Sequence, residues 1–242
     1  MENKYLIILS GENVCLAKAE LFSVYPTLRI LAEEGERLLV NGFVYNKDLG
    51  LVKDVFIITN DKQVPLQRRK KSIFVKRERA RPNGLPPKLA RVMVNLTQVP
   101  RSTEIVDPFC GTGGILLEAA KLGHPVVGYD VDKVAIAIAK KRLAGFPATF
   151  AYKDACSLSQ KINAIVTDLP YGKSTSVKSL ISLYLSFLLH TKSLLYGRMI
   201  ICFPHFVSGP IIARKTGYTV HATYTWHVHR SLYRELLVLS NK

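Results

Sequence analysis

Apolar positions and turn residues alternate along most of this chain, and their spacing divides it into short strands and helices. Residues 5–9 are an unbroken apolar run of strand length. Gly11-Glu12-Asn13 turns the chain. Leu16, Ala19, Leu21 and Phe22 then recur at helical spacing across 14–25, until Pro26 stops them. Residues 29–31 and 37–40 read as strands around the turn Glu33-Glu34-Gly35-Glu36, whereas 49–59 fits a helix or a strand. Beyond Pro82-Asn83-Gly84 and Pro86-Pro87 the pattern becomes regular. It predicts a helix over 88–97 with Pro87 at its start, a strand at 104–106, a glycine-rich turn and a helix over 114–122 closed by Gly123. A strand at 126–130 follows, then a helix from an Asp132 cap to Leu143, and strands at 149–153 and 164–167. The chain ends with a helix over 177–195, a strand at 199–203, a short helix at 207–216 and a hairpin of 218–228 with 236–240.

Strands alternating with helices imply a doubly wound α/β sheet covered on both faces. The closing hairpin separates it from a dinucleotide dehydrogenase. We divide the chain into a small α+β unit (1–65), a basic linker (66–82) and the main α/β domain (83–242). The apolar stretch 180–189 is interrupted by Ser182, Tyr184 and Ser186, and is too short and polar to span a bilayer. It reads as a buried helix.

Charge sharpens this picture. The 242 residues carry a net charge of +16, unevenly spread. Residues 1–65 hold 7 basic and 9 acidic groups, 66–81 hold 8 and 1, and 82–242 hold 19 and 8. A near-neutral head ahead of a basic body suggests a polyanion partner. The four cysteines (Cys15, Cys110, Cys156, Cys202) are widely spaced and lack paired histidines, so no metal site is expected and a reducing cytoplasm fits. The N-terminus does not read as a signal peptide.

Two motifs carry chemistry. The first is Asp107-Pro108-Phe109-Cys110-Gly111-Thr112-Gly113-Gly114, between a strand and a helix. Gly111, Gly113 and Gly114 allow a ligand close to the backbone and accept positive φ. The pattern is not the dinucleotide G-x-G-x-x-G, because Leu116 stands at the third glycine position. Asp107 at the loop entrance disfavours a pyrophosphate and favours a cation. S-adenosylmethionine, with an ammonium and a sulfonium, fits. Asp130 closes the second strand and can accept from both ribose hydroxyls, with Val131 against the adenine. Asp154, after the third strand, can take the adenine amine. Phe109, Thr112 and Ala155 complete the expected cofactor set, together with Asp168. Taken singly, each acid reads as a turn residue or a helix cap. Three of them at successive strand ends read as a site.

The second motif is Asp168-Leu169-Pro170-Tyr171-Gly172. A base amine is a poor nucleophile because its lone pair is delocalised into the ring. A catalyst must accept hydrogen bonds from both N–H groups and draw the lone pair out of the plane. Asp168 supplies one acceptor. Pro170 forces Leu169 into an extended conformation that can hold its carbonyl as the other. Tyr171 offers a ring for stacking. Asp168, Leu169, Pro170 and Tyr171 are therefore the candidate catalytic residues.

With these residues in hand, 83–242 resembles the THUMP-class tRNA guanosine-10 N2-methyltransferases of archaea and eukaryotes. The two motifs, the helix Pro87-Lys88-Leu89-Ala90-Arg91 with Met93-Val94-Asn95-Leu96, and Val228-His229-Arg230-Ser231-Leu232 followed by Arg234 carry the likeness. Leu169 stands where the archaeal family more usually has Pro. The resemblance implies a class I methyltransferase fold, Rossmann-like with a C-terminal antiparallel hairpin, and S-adenosyl-L-methionine as cofactor. It implies methylation of a guanosine N2 in tRNA. Residues 3–58 resemble the family's ferredoxin-like unit in part, with no room for a full THUMP domain before the basic segment. RNA capture is then expected from Arg68, Arg69, Lys70, Lys71, Lys76, Arg77, Arg79 and Arg81, with Lys173 and Arg230, or from a separate RNA-binding subunit. The family also implies a small zinc-containing activator subunit as a candidate partner. Competing readings are an amine methyltransferase acting on rRNA guanine N2 or adenine N6, and a non-catalytic RNA-binding subunit that keeps the fold.

Overall fold

In the computed structural model, which describes residues 4–42, 48–59, 62–67, 85–172, 176–229 and 232–241, the first apolar run becomes strand β1 (Lys4–Leu9). Helix α1 (Val14–Val24) starts where the Asn13 side chain accepts the Leu16 N–H at 2.9 Å. Strands β2 (Arg29–Glu34) and β3 (Arg37–Asn41) follow, hinged at the predicted turn. The ambiguous stretch 49–59 resolves as strand β4 (Val52–Thr59), and a further strand, β5 (Lys62–Gln67), lies where the sequence reading assigns no element and begins the linker. These five form an antiparallel sheet in the order β2-β3-β1-β4-β5, and Pro65 is tolerated because β5 is an edge.

Helix α2 (Pro87–Leu96) packs on α1 within this first unit, which runs Met1–Leu96. A buried carboxylate joins them. Glu20 of α1 accepts from the backbone N–H of Gly50 (2.7 Å) and Leu51 (2.9 Å) and from the Asn95 amide (2.8 Å). The boundary drawn at 66–82 lies largely outside the described residues. The helix beyond it shares its apolar side with α1.

The second unit, Thr97–Lys242, holds a seven-stranded sheet. Its elements are β6 (Ile105–Asp107), α3 (Gly114–Lys121), β7 (Val126–Asp130), α4 (Lys133–Arg142), β8 (Ala148–Tyr152), β9 (Ile162–Asp168) and α5 (Val177–Lys192), then β10 (Leu195–Pro204), α6 (Gly209–Lys215), β11 (Thr219–His229) and β12 (Leu232–Ser240). The order is β11-β12-β10-β9-β6-β7-β8, with β6 to β10 parallel and the β11–β12 hairpin antiparallel. This is the Rossmann-like doubly wound sheet expected from the sequence, with its terminal hairpin. Val106, Ile165, Met199 and Ile201 are essentially inaccessible to solvent, as strands covered by helices on both faces should be. Helix α5 lays Leu180, Tyr184, Phe187 and Leu188 onto them, and the edge of Phe187 meets Phe109 at 5.0 Å between centroids. α5 stops at Lys192 rather than 195, since β10 pairs with β9 from Leu195 onward.

Chain order reverses at β6. β7 and β8 build outward on one side, and the chain then returns to place β9 on the other. The carboxyl ends of β6 and β9 therefore flank a topological switch point, where open α/β sheets bind ligands. Among the described residues, no helix is long and apolar enough to cross a membrane, and no group of three His, Cys, Asp or Glu could hold a metal ion.

Candidate active site

Asp107 ends β6 and is 2% exposed. Its Oδ1 accepts the Thr167 hydroxyl at 2.7 Å and the Phe109 N–H at 3.1 Å. Burial pushes its carboxyl up to about 7, opposed by those two donors and reinforced by the charges of Asp130 and Asp168. The glycine turn follows. Gly111 has φ +51°, and a Cβ there would meet nothing within 4 Å, so this backbone faces open space. Its N–H donates to Asp130 Oδ2 at 2.7 Å. Gly113 differs. At φ +76° its missing Cβ faces Leu143 at 2.9 Å, so a side chain there would collide with the end of α4. Gly114 opens α3 and is exposed, and Thr112 is half-buried.

Asp130, at the end of β7, also accepts the Asp132 N–H through Oδ1 at 2.9 Å. Each oxygen is oriented by one backbone donor and keeps a lone pair for a further one. Val131 beside it is 64% exposed, a bare apolar surface at the strand end. Asp154 lies two residues past β8 and caps a short 3₁₀ turn (Ala155–Ser157) by accepting the Cys156 N–H at 2.6 Å. Its carboxylate is exposed, and Ala155 is buried beneath it.

Asp168 ends β9, next to β6. Its Oδ1 accepts the Tyr171 hydroxyl at 2.7 Å, and Arg234 Nε of β12 lies 3.4 Å from both carboxylate oxygens. The guanidinium, 1% exposed, also sits over the Tyr171 ring at 5.2 Å. Burial pushes the Asp168 carboxyl up, and Arg234 and the Tyr171 hydroxyl oppose that shift. Leu169 is buried, and its N–H donates to the Cys202 carbonyl at 3.1 Å, extending the β9–β10 ladder by one bond. The Pro170 carbonyl accepts the hydroxyl of Tyr184, which is fully buried on α5. The switch point thus brings together Asp107, Asp130 and Asp168, with Leu169, Pro170 and Tyr171 following directly.

The residues expected to bind RNA, Arg68, Arg69, Lys70, Lys71, Lys76, Arg77, Arg79, Arg81, Lys173 and Arg230, lie outside the described residues. Sequence reasoning did not single out Thr167, Tyr184 or the role of Arg234. The signal for Arg234 was available. It alternates with Leu236 and Val238 on one strand face, and an arginine in an apolar stripe needs a partner.

Residues 75–234 match the model of the UPF0020 family, described as RMKL-like, methyltransferase domain. A tRNA (guanine(10)-N2)-dimethyltransferase of Methanothermobacter thermautotrophicus is 38% identical over 167 residues, 65% of this chain and 49% of that protein. The enzyme of the same name from Pyrococcus abyssi is 37% identical over 169 residues, 66% of this chain and 51% of the relative. The chain therefore spans about half the length of the curated relatives it matches. The crystal structure of TrmN from Thermus thermophilus shares the fold, with a TM-score of 0.64 at 17% identity over 98% of this chain and 99% of that one.

Proposed function

Because this chain belongs to the UPF0020 family of RMKL-like methyltransferase domains, we propose that it moves a methyl group from S-adenosyl-L-methionine to the exocyclic N2 amine of a guanosine in tRNA, position 10 by the names of its relatives. The observation that supports the reading is that β9 ends at Asp168, directly followed by Leu169-Pro170-Tyr171, beside the end of β6 where Asp107 lies.

The residues fit the cofactor. Buried Asp107, with Asp130 and Asp168 close enough to raise its carboxyl, forms an anionic crevice that stabilises a cation and repels a pyrophosphate. Asp130 would take the ribose hydroxyls, Val131 and Phe109 would flank the adenine, and Asp154 would meet its amine. Gly111 leaves the approach open. Bound there, S-adenosylmethionine supplies a methyl group on a positively charged sulfur.

The protein's own part is acceptance and alignment. Asp168 takes one N–H of the amine and Leu169 the other, which turns the nitrogen lone pair out of the base plane. The ionised Asp168 is also placed to receive the proton the nitrogen sheds. Most of the acceleration comes from holding the amine in line. Presenting a paired guanine requires extruding it from its helix. In this reading the catalytic domain is 83–242, served by the basic segment 66–82. A tRNA partner, with or without a small activator or RNA-binding subunit, belongs to the same reading.

Incubating the protein with unmodified total tRNA and methyl-labelled cofactor, then mapping the labelled nucleoside, tests it. N2-methylguanosine or its dimethyl form at position 10 is expected, and label confined to adenine N6 or to rRNA would redirect the assignment. Asp168→Ala should abolish transfer while leaving cofactor affinity, read by calorimetry, within a few-fold. A variant with undiminished turnover would remove Asp168 from the chemistry.

A further inference from the structure

We propose that Pro204 is a positioning residue that keeps the Leu169 carbonyl free to accept the substrate amine. The inference rests on the methyl-transfer reading above and on the register of the β9–β10 ladder. In a parallel pair, a residue whose N–H donates to the carbonyl at j−1 receives a bond at its own carbonyl from the N–H at j+1. Cys202 pairs with Asp168, and the Leu169 N–H donates to the Cys202 carbonyl at 3.1 Å. The next donor in that ladder is the backbone N–H of residue 204. Proline has none. The ladder therefore stops one bond short, at the acceptor that the chemistry needs. Among the described residues nothing donates to the Leu169 carbonyl, whereas the carbonyl of the next residue, Pro170, is held by the Tyr184 hydroxyl.

Proline suits this position for a second reason. Residue 204 pairs with Arg234 on β12, and Phe203 with Glu235. In a strand, successive residues direct their N–H groups to opposite sides. Cys202 and residue 204 both face β9 with this edge of the backbone, so the missing N–H costs the β10–β12 ladder nothing. The same pair of register partners thus serves both acceptors: Arg234 holds the Asp168 carboxylate, and Pro204 leaves the neighbouring carbonyl open.

The test restores the missing donor and then removes it again. Pro204→Ala supplies an N–H that competes with the substrate for Leu169, and kcat should fall about tenfold with KM for tRNA and cofactor unchanged. Pro204→lactic acid, introduced as a backbone ester, keeps the alanine side chain but has no N–H, and kcat should return toward the parent value. Equal thermal midpoints for the two variants would show that folding is not the difference. Hydrogen exchange at the new backbone amide of Pro204→Ala gives a readout independent of turnover, and protection of that amide is expected. An undiminished kcat in Pro204→Ala, equal loss in the alanine and ester variants, or free exchange at the new amide would overturn the inference. If the parent protein methylates no nucleic-acid amine, the underlying reading fails instead. The exchange measurement then still decides the ladder.

Discussion

Arg234 is buried and pairs with a half-buried Asp168, and removing the carboxylate's partner leaves it without compensation. Asp168 faces Tyr171 from its own turn, Asp107 from β6, Tyr184 from α5, Cys202 from β10 and Arg234 from β12. Only Arg234 among them brings a positive charge. Burial already raises the Asp168 carboxyl, so Arg234→Met should raise it further, and the acid limb of the kcat–pH profile should move to higher pH. Arg234→Lys should recover most of that displacement. An unmoved limb in Arg234→Met would show that the arginine acts only through packing. Asp107 makes a complementary prediction. With its carboxyl at about 7, it is half protonated near neutrality, and a cation in the crevice favours the ionised form. Cofactor binding should release a proton, and affinity should fall up to about tenfold per unit as pH drops below 7. The sign for folding is opposite: the native state holds the proton more tightly than the unfolded chain, so this group lowers stability as pH rises from its ordinary 3.8 to 7. Titration calorimetry across that range measures the first effect, and urea unfolding the second. The acids were legible in sequence because each closes an apolar strand. Their hydrogen-bond partners were not, since Thr167 and Tyr184 look like any strand or helix residue until the neighbouring element is known.

At the level of elements, long buried runs were the easiest to read. β7, β9 and the middle of β10 are largely apolar, and the helices after β7 and β9 start at side-chain caps, Asp132 and Ser176. The stretch 49–59 was ambiguous because its Val-Lys-Asp-Val-Phe-Ile-Ile pattern satisfies two periods, and pairing with both β1 and β5 decides for a strand. β5 was missed because its residues are polar and include Pro65, which only an edge accommodates. β12 begins earlier than its apolar run, and this early start places Arg234 inside the sheet. Helix α5 is tied to the turn after β9 by the Tyr184 hydroxyl, which donates to the Pro170 carbonyl. Tyr184→Phe leaves the Pro170 carbonyl without that donor, and should cost about 1–3 kcal/mol in denaturant unfolding. It should lower kcat more than it raises KM, because the turn loses an anchor while the binding surfaces persist.

Over the whole molecule, charge separates the roles. The head carries 7 basic and 9 acidic groups across 1–65, and the segment 66–81 carries 8 and 1. If that segment tracks the RNA backbone, replacing Arg68, Arg69, Lys70 and Lys71 by Ala should weaken tRNA binding and flatten its dependence on salt, by about one unit of log–log slope for each phosphate no longer neutralised. An unchanged slope would take the segment off the RNA path. The alternation of elements made the doubly wound sheet of the second unit legible, though not the order of its strands. The packing of α2 on α1 was not legible, because that helix arrives only after the basic segment.

That late helix has a practical corollary for anyone dissecting the protein. Glu20 seeks three donors, and one of them, Asn95, comes from α2. A head expressed alone and ended at residue 82 would strand that carboxylate and bare the side of α1 that α2 covers. Two pieces severed between 67 and 85 should instead re-associate when mixed, the later piece carrying the missing lid of the earlier one.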